Sequence, residues 1–163
     1  MARSAGWLDT NLFVHAYQSD ERSAACRALI RGLEDGSVEG WLHPVVLHEL
    51  SYVLRNLLRW DRAKIADLLV ALVLAPGVRV PGDPGALADG ILRWRDSTIA
   101  FADALLAAEA SAAGLAVCSV NATDIHRARA SCIVPALHGD VLQLAALPPP
   151  APGAHGAETG PNK

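Results

Sequence analysis

Lysine is nearly absent from this 163-residue chain, since it occurs only at Lys64 and Lys163 and arginine supplies the other permanent positive charges. The formal net charge is −3, and no run of basic residues is present. A protein that holds nucleic acid by bulk electrostatic attraction is therefore not expected. An enzyme whose acidic site is flanked by a few arginines is compatible with this charge.

Cysteines are few, and long apolar runs are missing. The three cysteines, Cys26, Cys118 and Cys132, include no CxxC pair, and their odd number argues against a disulfide framework. Cys118 lies in an apolar run and is interpreted as a small core residue. No apolar stretch is long enough to cross a bilayer and no signal peptide is visible, so we expect a cytoplasmic protein without membrane contact.

Aromatic residues make up only 5% of the chain, whereas hydrophobic residues make up 52%, so the predicted core is aliphatic. The length suits one domain with a substantial core, which we place at residues 1–147. From Pro148 onwards the chain contains little besides proline, glycine and alanine, which predicts a disordered tail over residues 148–163.

Short apolar segments of strand type alternate with longer segments of helical periodicity. The predicted strands end at Asp9 and span 39–43, 78–80, 115–120 and 132–134, and the main predicted helices span 44–58, 62–75, 86–95 and 97–110. The continuous apolar run 115–120 is typical of a strand that is buried on both faces. This alternation predicts an α/β fold with a mainly parallel sheet that helices cover on both faces.

The first strand is interpreted as a buried, central strand that ends at Asp9, followed directly by Thr10 and Asn11. Ligands of parallel α/β sheets bind outside the carboxyl ends of the strands. A carboxylate with two small polar neighbours at that position is suited to holding a cation. The alternative is that Asp9 only caps the next helix, since Asp, Thr and Asn are all good N-cap residues.

Three further carboxylates occupy comparable positions. Glu49 lies among apolar residues on a helix, where burial is costly without a partner, although its carboxylate could also reach water. Asp103 lies in the first turn of a helix, where the dipole favours an anion and where capping is an equally good explanation. Asp124 follows the fourth strand, close to Ser119 and Asn121.

Right-handed connections in a short α/β fold can bring these four carboxylates to one edge of the sheet. Clustered carboxylates repel one another, and a divalent cation relieves this repulsion. Mg²⁺ or Mn²⁺ suits a site made only of oxygen ligands. Such a metal activates bound water and stabilises a phosphoryl transition state.

Four short motifs share their order and spacing with a known family. They are LDTN at 8–11, LHEL at 47–50, FADALLAA at 101–108 and SVNATDI at 119–125. On these motifs, over residues 7–133, the chain resembles the PIN-domain nucleases, in particular the VapC-type toxins of bacterial and archaeal toxin–antitoxin pairs. It departs from them at Asn121, where many members carry an aspartate, and at Ile125, which replaces an aromatic residue.

The resemblance implies a three-layer α/β/α sandwich, a homodimer, and Mg²⁺- or Mn²⁺-dependent endonucleolytic cleavage of RNA. It also implies a cognate antitoxin protein that inserts into the acidic groove and blocks it. The metal would be held by Asp9, Glu49 and Asp103, with Asp124 assisting through a second metal or through water. Hydrogen bonds to metal-bound waters or to the carboxylates would come from Thr10, Asn11, Ser119 and Asn121.

Arginines would contact the phosphates of a bound RNA. The candidates are Arg55, Arg59, Arg93 and Arg127. For each of them, a solvated helix face is the simpler interpretation.

Other classes of protein also use an acidic residue at a strand end. A phosphatase of the haloacid-dehalogenase type needs a second aspartate where this chain has Asn11, and a receiver domain needs a lysine at a late strand end, which is missing. The stronger alternative is a catalytically silent PIN-like domain that binds a protein or an RNA. Asn121 and the net negative charge favour this alternative, whereas the presence of Asp9, Glu49 and Asp103 argues against it.

Overall fold

The computed structural model of the chain describes residues 3–138 and 140–148. The strands in this part of the chain are β1 (Arg3–Trp7), β2 (Val38–Trp41), β3 (Val78–Arg79), β4 (Val117–Cys118), β5 (Cys132–His138) and β6 (Val141–Leu147). The helices are α1 (Thr10–Ala16), α2 (Ser23–Asp35), α3 (Pro44–Asn56), α4 (Arg62–Val73), α5 (Pro84–Arg95), α6 (Phe101–Ala112) and α7 (Ala122–Arg127). No helix within the described ranges is long and apolar enough to cross a membrane.

The strands pair in two three-stranded groups, and most of the pairing is parallel. In the first group, β2 lies between β1 and β3 and is parallel to both. In the second group, β5 is parallel to β4 and antiparallel to β6. At least one helix separates the members of every parallel pair, as a parallel crossover requires, whereas a short connection joins β5 to β6. The predicted α/β fold with a mainly parallel sheet is therefore confirmed.

Strand β1 differs from the prediction of a buried, central strand that ends at Asp9. It ends at Trp7, it lies at the edge of its group within the described residues, and the Trp7 side chain is 64% exposed. The register with β2 shifts between Ser4 and Gly6, and Gly6 has a φ of +78°. This irregularity interrupts the regular pairing just before the strand ends. Within the described residues, the expectation of a buried, central strand that ends at Asp9 was therefore wrong.

Strand β4 is shorter and more exposed than the apolar run 115–120 predicts. It contains only Val117 and Cys118, and it lies at the edge of the second group in the described part of the chain. Val117 is buried and Cys118 is exposed, as expected for an edge strand with one covered face. Leu115 and Val120, outside the strand, are 66% and 85% exposed. The predictions of burial on both faces and of a core position for Cys118 were therefore wrong.

The last predicted strand, 132–134, is the first part of a longer hairpin. Strand β5 continues to His138, and β6 returns antiparallel to it with every residue exposed. Strand β6 contains no alternation of apolar and polar residues, so its sequence does not predict a strand. Apart from Pro148, the predicted disordered tail at 148–163 lies outside the described residues.

Helices α3 to α6 contribute many of the fully buried side chains. These include Leu47, Leu50, Leu54, Ile65, Leu69, Leu87 and Ile91. Helices α5 and α6 approach closely because Gly90 has no side chain: a Cβ atom there would lie 2.9 Å from the Cα atom of Leu105. Trp94 packs edge-on against Phe101, with ring centroids 5.1 Å apart. These contacts position the first turn of α6, which carries Asp103.

Candidate acidic site

Asp9 caps the N-terminus of α1 and is exposed at the same time. Its backbone is extended, and its Oδ2 atom accepts a hydrogen bond of 3.2 Å from the backbone N–H of Asn11. This Asp9–Asn11 contact is the capping role that the sequence offers as one of two interpretations. Capping uses one carboxylate oxygen, so it is compatible with a metal ligand at the other oxygen.

Thr10 joins the first acidic motif to the second. Its side chain is buried, and its hydroxyl donates a hydrogen bond of 2.6 Å to Oε2 of Glu49. The two residues are 39 positions apart in the sequence, and the packing of α1 against α3 brings them together. Of the two roles expected for the Thr10 hydroxyl, the structure therefore has the contact to a carboxylate. Glu49 itself is exposed, so its carboxylate is held in place while remaining open to solvent.

Asp103 lies in the first turn of α6 and is half-buried. Helix α6 begins at Phe101, later than the predicted start at residue 97. The Ser97 hydroxyl instead donates to the backbone carbonyl of Arg93 in the last turn of α5. Residues 97–100 therefore belong to the connection between the helices. The dipole of α6 stabilises a negative charge at this position, near the N-terminus of the helix.

The start of α6 packs against α3 close to Glu49. The rings of His48 and Phe101 have centroids 6.0 Å apart. Glu49 follows His48 directly, and Asp103 lies two residues after Phe101. The two carboxylates therefore belong to segments that meet at this contact. The sequence indicates His48 only as a surface residue or a satisfied core histidine, and nothing in its spacing signals the contact with Phe101.

The fourth motif forms a local network around the N-terminus of α7. Asn121 caps this helix through its Oδ1 atom, and its Nδ2 atom donates a hydrogen bond of 2.6 Å to Oδ2 of Asp124. The other carboxylate oxygen of Asp124 accepts from Arg127 at 3.3 Å. Ser119 supports the turn by accepting from the backbone N–H of Asn121 at 3.0 Å. Both oxygens of Asp124 therefore have partners close by in the sequence, Asn121 within the motif and Arg127 just after it.

Two separate polar units thus occupy the positions of three of the four motifs: Asp9, Thr10 and Glu49 in one, and Asn121 with Asp124 in the other. Asp103, of the third motif, lies in the first turn of α6. Within residues 3–138 and 140–148, no three His, Cys, Asp or Glu side chains lie close enough together to hold a metal ion. The metal site of Asp9, Glu49 and Asp103, with Asp124 assisting through a second metal or through water, therefore stays a prediction.

The arginines that were candidates for phosphate contacts differ in their surroundings. Arg93 is largely buried, pairs with Asp89 at 2.7 Å and donates to the backbone carbonyl of Ala128, so it has a structural role. Arg127 is engaged by Asp124. Arg55 and Arg59 are exposed and form no ion pair within the described residues.

Two aromatic features beside these motifs were not predicted from the sequence. Trp7 and Trp41 lie at the carboxyl ends of β1 and β2, with ring centroids 5.8 Å apart, and both are exposed. Arg62 lies over the ring of Trp94, at 4.6 Å from its centroid. In the sequence, the pair of Trp7 and Trp41 is indicated only by a tryptophan near the end of each of the first two predicted strands.

Comparison with known protein families identifies the family to which the chain belongs. The model of the PIN domain family matches residues 7–130 of the chain, which is more than half of its length. The chain belongs to the PIN-domain family. The matched segment contains all four acidic positions and ends before β5, so the β5–β6 hairpin lies outside it. PIN domains are generally nucleases and typically use divalent metals. A search of curated proteins found no match.

Proposed function

We propose that this PIN domain is a Mg²⁺- or Mn²⁺-dependent endoribonuclease that acts as the toxin of a type II toxin–antitoxin pair of the VapC type. The observation that carries the proposal is the hydrogen bond from Thr10 to Glu49. It links the first two acidic motifs of a PIN domain and leaves the Asp9 and Glu49 carboxylates exposed. Two carboxylates tethered in this way are a suitable start for a cation site.

The chemistry of the available side chains suits a hard divalent cation. Asp9, Glu49 and Asp103 offer carboxylate oxygens, which Mg²⁺ and Mn²⁺ prefer. Asp9 has one oxygen engaged in capping, and one oxygen of Glu49 is engaged by Thr10. Each therefore keeps ligand capacity, because an ionised carboxylate has about four lone-pair positions.

The residues of the proposed site have two roles, holding the metal and orienting the carboxylates that hold it. Asp9, Glu49 and Asp103 would hold the metal, which when bound supplies an activated water and charge stabilisation at the phosphoryl group. Thr10 orients the Glu49 carboxylate, as outer hydrogen bonds commonly do for metal ligands. Asn121 orients the Asp124 carboxylate in the same manner. Asp124 would act from the edge of the site, through water or a second metal.

The toxin assignment is supported by the order and spacing of the four motifs. An antitoxin that covers the exposed Asp9 and Glu49 carboxylates would block access of RNA to them. The homodimer and the antitoxin belong to the same proposal, since both are implied by the resemblance to VapC-type toxins.

A second candidate function is a catalytically silent PIN-like domain that binds a protein or an RNA. The observation that favours it is the arrangement around Asp124, whose two carboxylate oxygens already have partners in Asn121 and Arg127. In a domain that binds no metal, Asp124 would keep these two hydrogen-bond partners and would need no other ligand.

Cleavage of total RNA by the purified protein distinguishes the two candidates. The protein is incubated with Mg²⁺, with Mn²⁺ and with EDTA, beside the Asp103→Asn variant. We expect cleavage with either metal and none with EDTA or with the variant. Intact RNA in every reaction, together with no Mn²⁺ binding by calorimetry, would favour the silent domain.

A further inference from the structure

A cavity of about 330 Å³ lies where α3, α4, α5 and α6 come together. Its lining includes Tyr52 and Arg55 of α3, Arg62 of α4, Trp94 of α5 and Phe101 of α6. The volume is at the lower end of the range for small-ligand sites, which is roughly 300–1,000 Å³. No part of the proposed metal site uses these five side chains.

The cavity adjoins the segments that carry the candidate metal ligands. Tyr52 lies three residues after Glu49, hence on the same side of α3 and roughly 4.5 Å further along its axis. Phe101, which also lines the cavity, lies two residues before Asp103. A ligand in this cavity would therefore be a neighbour of a group bound at the acidic site.

The aromatic residues of the cavity are suited to stacking. Tyr52 is 66% exposed on a helix surface, although a tyrosine ring is costly to leave in water. The Phe101 ring packs against both the Trp94 ring and the His48 ring, and these contacts hold that part of the lining in place. Unpaired bases of single-stranded RNA bind to such surfaces by stacking on exposed aromatic rings.

The charge of the cavity is positive and uncompensated. Arg55 and Arg62 line it, and no Asp or Glu does so within the described residues. Arg62 is held in place, because it stacks on Trp94 and donates to the backbone carbonyls of Trp94 and Ser97. Burial lowers the pKa of Arg62, and the nearby charge of Arg55 lowers it further, so the two guanidinium groups repel each other. A phosphate between them would relieve this repulsion.

In a second arginine-lined cavity, of about 490 Å³, most of the positive charge is compensated by aspartates. Four arginines line this cavity, and three of them pair with an aspartate: Arg93 with Asp89 and Arg95 with Asp96, both at 2.7 Å, and Arg127 with Asp124 at 3.3 Å. The fourth is Arg129. Its arginines are therefore partly neutralised by the protein itself. The cavity beside Tyr52 is the better phosphate site.

We propose that the cavity beside Tyr52 binds one unpaired nucleotide of the RNA substrate next to the bond that is cut. The base stacks on Tyr52, and its phosphate contacts Arg55 and Arg62. This proposal rests on the proposed nuclease function, since it assigns a substrate contact to that enzyme. It adds a determinant of RNA recognition that the four acidic motifs do not contain.

Binding of a fluorescein-labelled single-stranded RNA, followed by anisotropy in EDTA, tests the proposal without cleavage. Tyr52→Ala should weaken binding on the order of tenfold, and Tyr52→Phe should restore it, because stacking needs the ring and not the hydroxyl. Arg55→Ala should weaken binding and reduce the salt slope by about 0.7 for the lost phosphate contact. Arg31→Ala, on the exposed side of α2 and outside the cavity, is the matched control.

Wild-type affinity in both Tyr52→Ala and Arg55→Ala would overturn the proposal. Absence of RNA binding by the wild type in EDTA, or binding of an acidic peptide in place of RNA, would also overturn it. The same variants are assayed for RNA cleavage with Mn²⁺. If the wild type and both variants cleave RNA at the same rate, the proposed role of the cavity is wrong and the nuclease function stands. If the two substitutions weaken RNA binding but the wild type cleaves no RNA, the proposed nuclease function is wrong and the binding site stands.

Discussion

The Thr10 hydroxyl donates a hydrogen bond of 2.6 Å to Oε2 of Glu49, and this contact joins α1 to α3 at the position of the first two acidic motifs. Thr10 is only 4% exposed, so its hydroxyl has no alternative partner in bulk solvent. A buried hydroxyl that loses its acceptor, or a carboxylate that loses its donor, costs stability. The contact therefore couples the fold to the geometry of the site.

Replacing Thr10 tests this coupling. Thr10→Val keeps the shape of the side chain and removes the donor, so we expect a loss of about 0.5–1.5 kcal/mol in the free energy of unfolding. RNA cleavage should fall on the order of tenfold or more, the range for loss of an outer contact to a metal ligand. Thr10→Ser keeps the hydroxyl and should retain most of the cleavage activity. Equal activity in the valine and serine variants would show that the hydrogen bond does not orient Glu49.

Asp124 should matter less for cleavage than Asp103. Both acids lie in the first turn of a helix, but both carboxylate oxygens of Asp124 are already engaged, by Asn121 and Arg127. We expect Asp124→Asn to retain measurable cleavage under conditions in which Asp103→Asn has none. Initial rates with Mn²⁺, measured on the same RNA, give the comparison. If the two variants are equally inactive, Asp124 is a full member of the metal site.

The close approach of α5 and α6 at Gly90 should be sensitive to one added carbon atom. A Cβ there would lie 2.9 Å from the Cα of Leu105, a backbone atom that cannot move aside alone. Gly90→Ala should therefore lower the free energy of unfolding by about 1–3 kcal/mol, measured by urea denaturation. In the control Gly85→Ala, the nearest atom is at 3.3 Å and belongs to the Asp83 side chain and not to the backbone, so the loss should be smaller.

Acid should weaken the connection between α1 and α2 through Asp20. The hydrogen bond with His15, 2.6 Å long, is the main reason that the pKa of Asp20 is lowered to about 2. Because this pKa is below the ordinary value of 3.8, the ionised carboxylate stabilises the fold above that value. Its contribution is lost as the pH falls towards 2.

The difference in unfolding free energy between wild type and Asp20→Asn should therefore be constant at neutral pH and shrink between about pH 4 and pH 2. Urea denaturation at several pH values measures it. Glu21→Gln, at the exposed neighbouring position, controls for the removal of one negative charge. A difference that grows on acidification would contradict the assigned role of Asp20.

The sequence was sufficient to predict the α/β class and the capping role of Asp9, because both depend on local patterns. Alternation of strands and helices forces parallel crossovers, and an aspartate before a helix caps it wherever the rest of the chain lies. The motif order also predicted the PIN-domain family, which the match over residues 7–130 confirms.

What the sequence could not predict depends on contacts between distant segments. The run 115–120 has the composition of a strand buried on both faces, yet β4 lies at an edge within the described residues. The hydrophobicity of a strand does not show whether it has a neighbouring strand on both sides or lies at the edge of the sheet. The contact between His48 and Phe101 depends on how α3 crosses α6, and no spacing in either helix signals it.

The most direct test of the metal-site assignment compares two aspartates that cap helices in the same way. Asp9 accepts a hydrogen bond from the backbone N–H two residues later, and Asp83 does the same for Gly85 at 2.9 Å. Asp9→Asn and Asp83→Asn therefore make the same chemical change at two equivalent caps, only one of which is placed at the acidic site.

RNA cleavage with Mn²⁺ is measured for both variants beside the wild type, with thermal unfolding to check that both are folded. Loss of cleavage in Asp9→Asn together with wild-type cleavage in Asp83→Asn is the expected result. Cleavage by folded Asp9→Asn at the wild-type rate would contradict a catalytic metal site at Asp9 and reduce this residue to a helix cap.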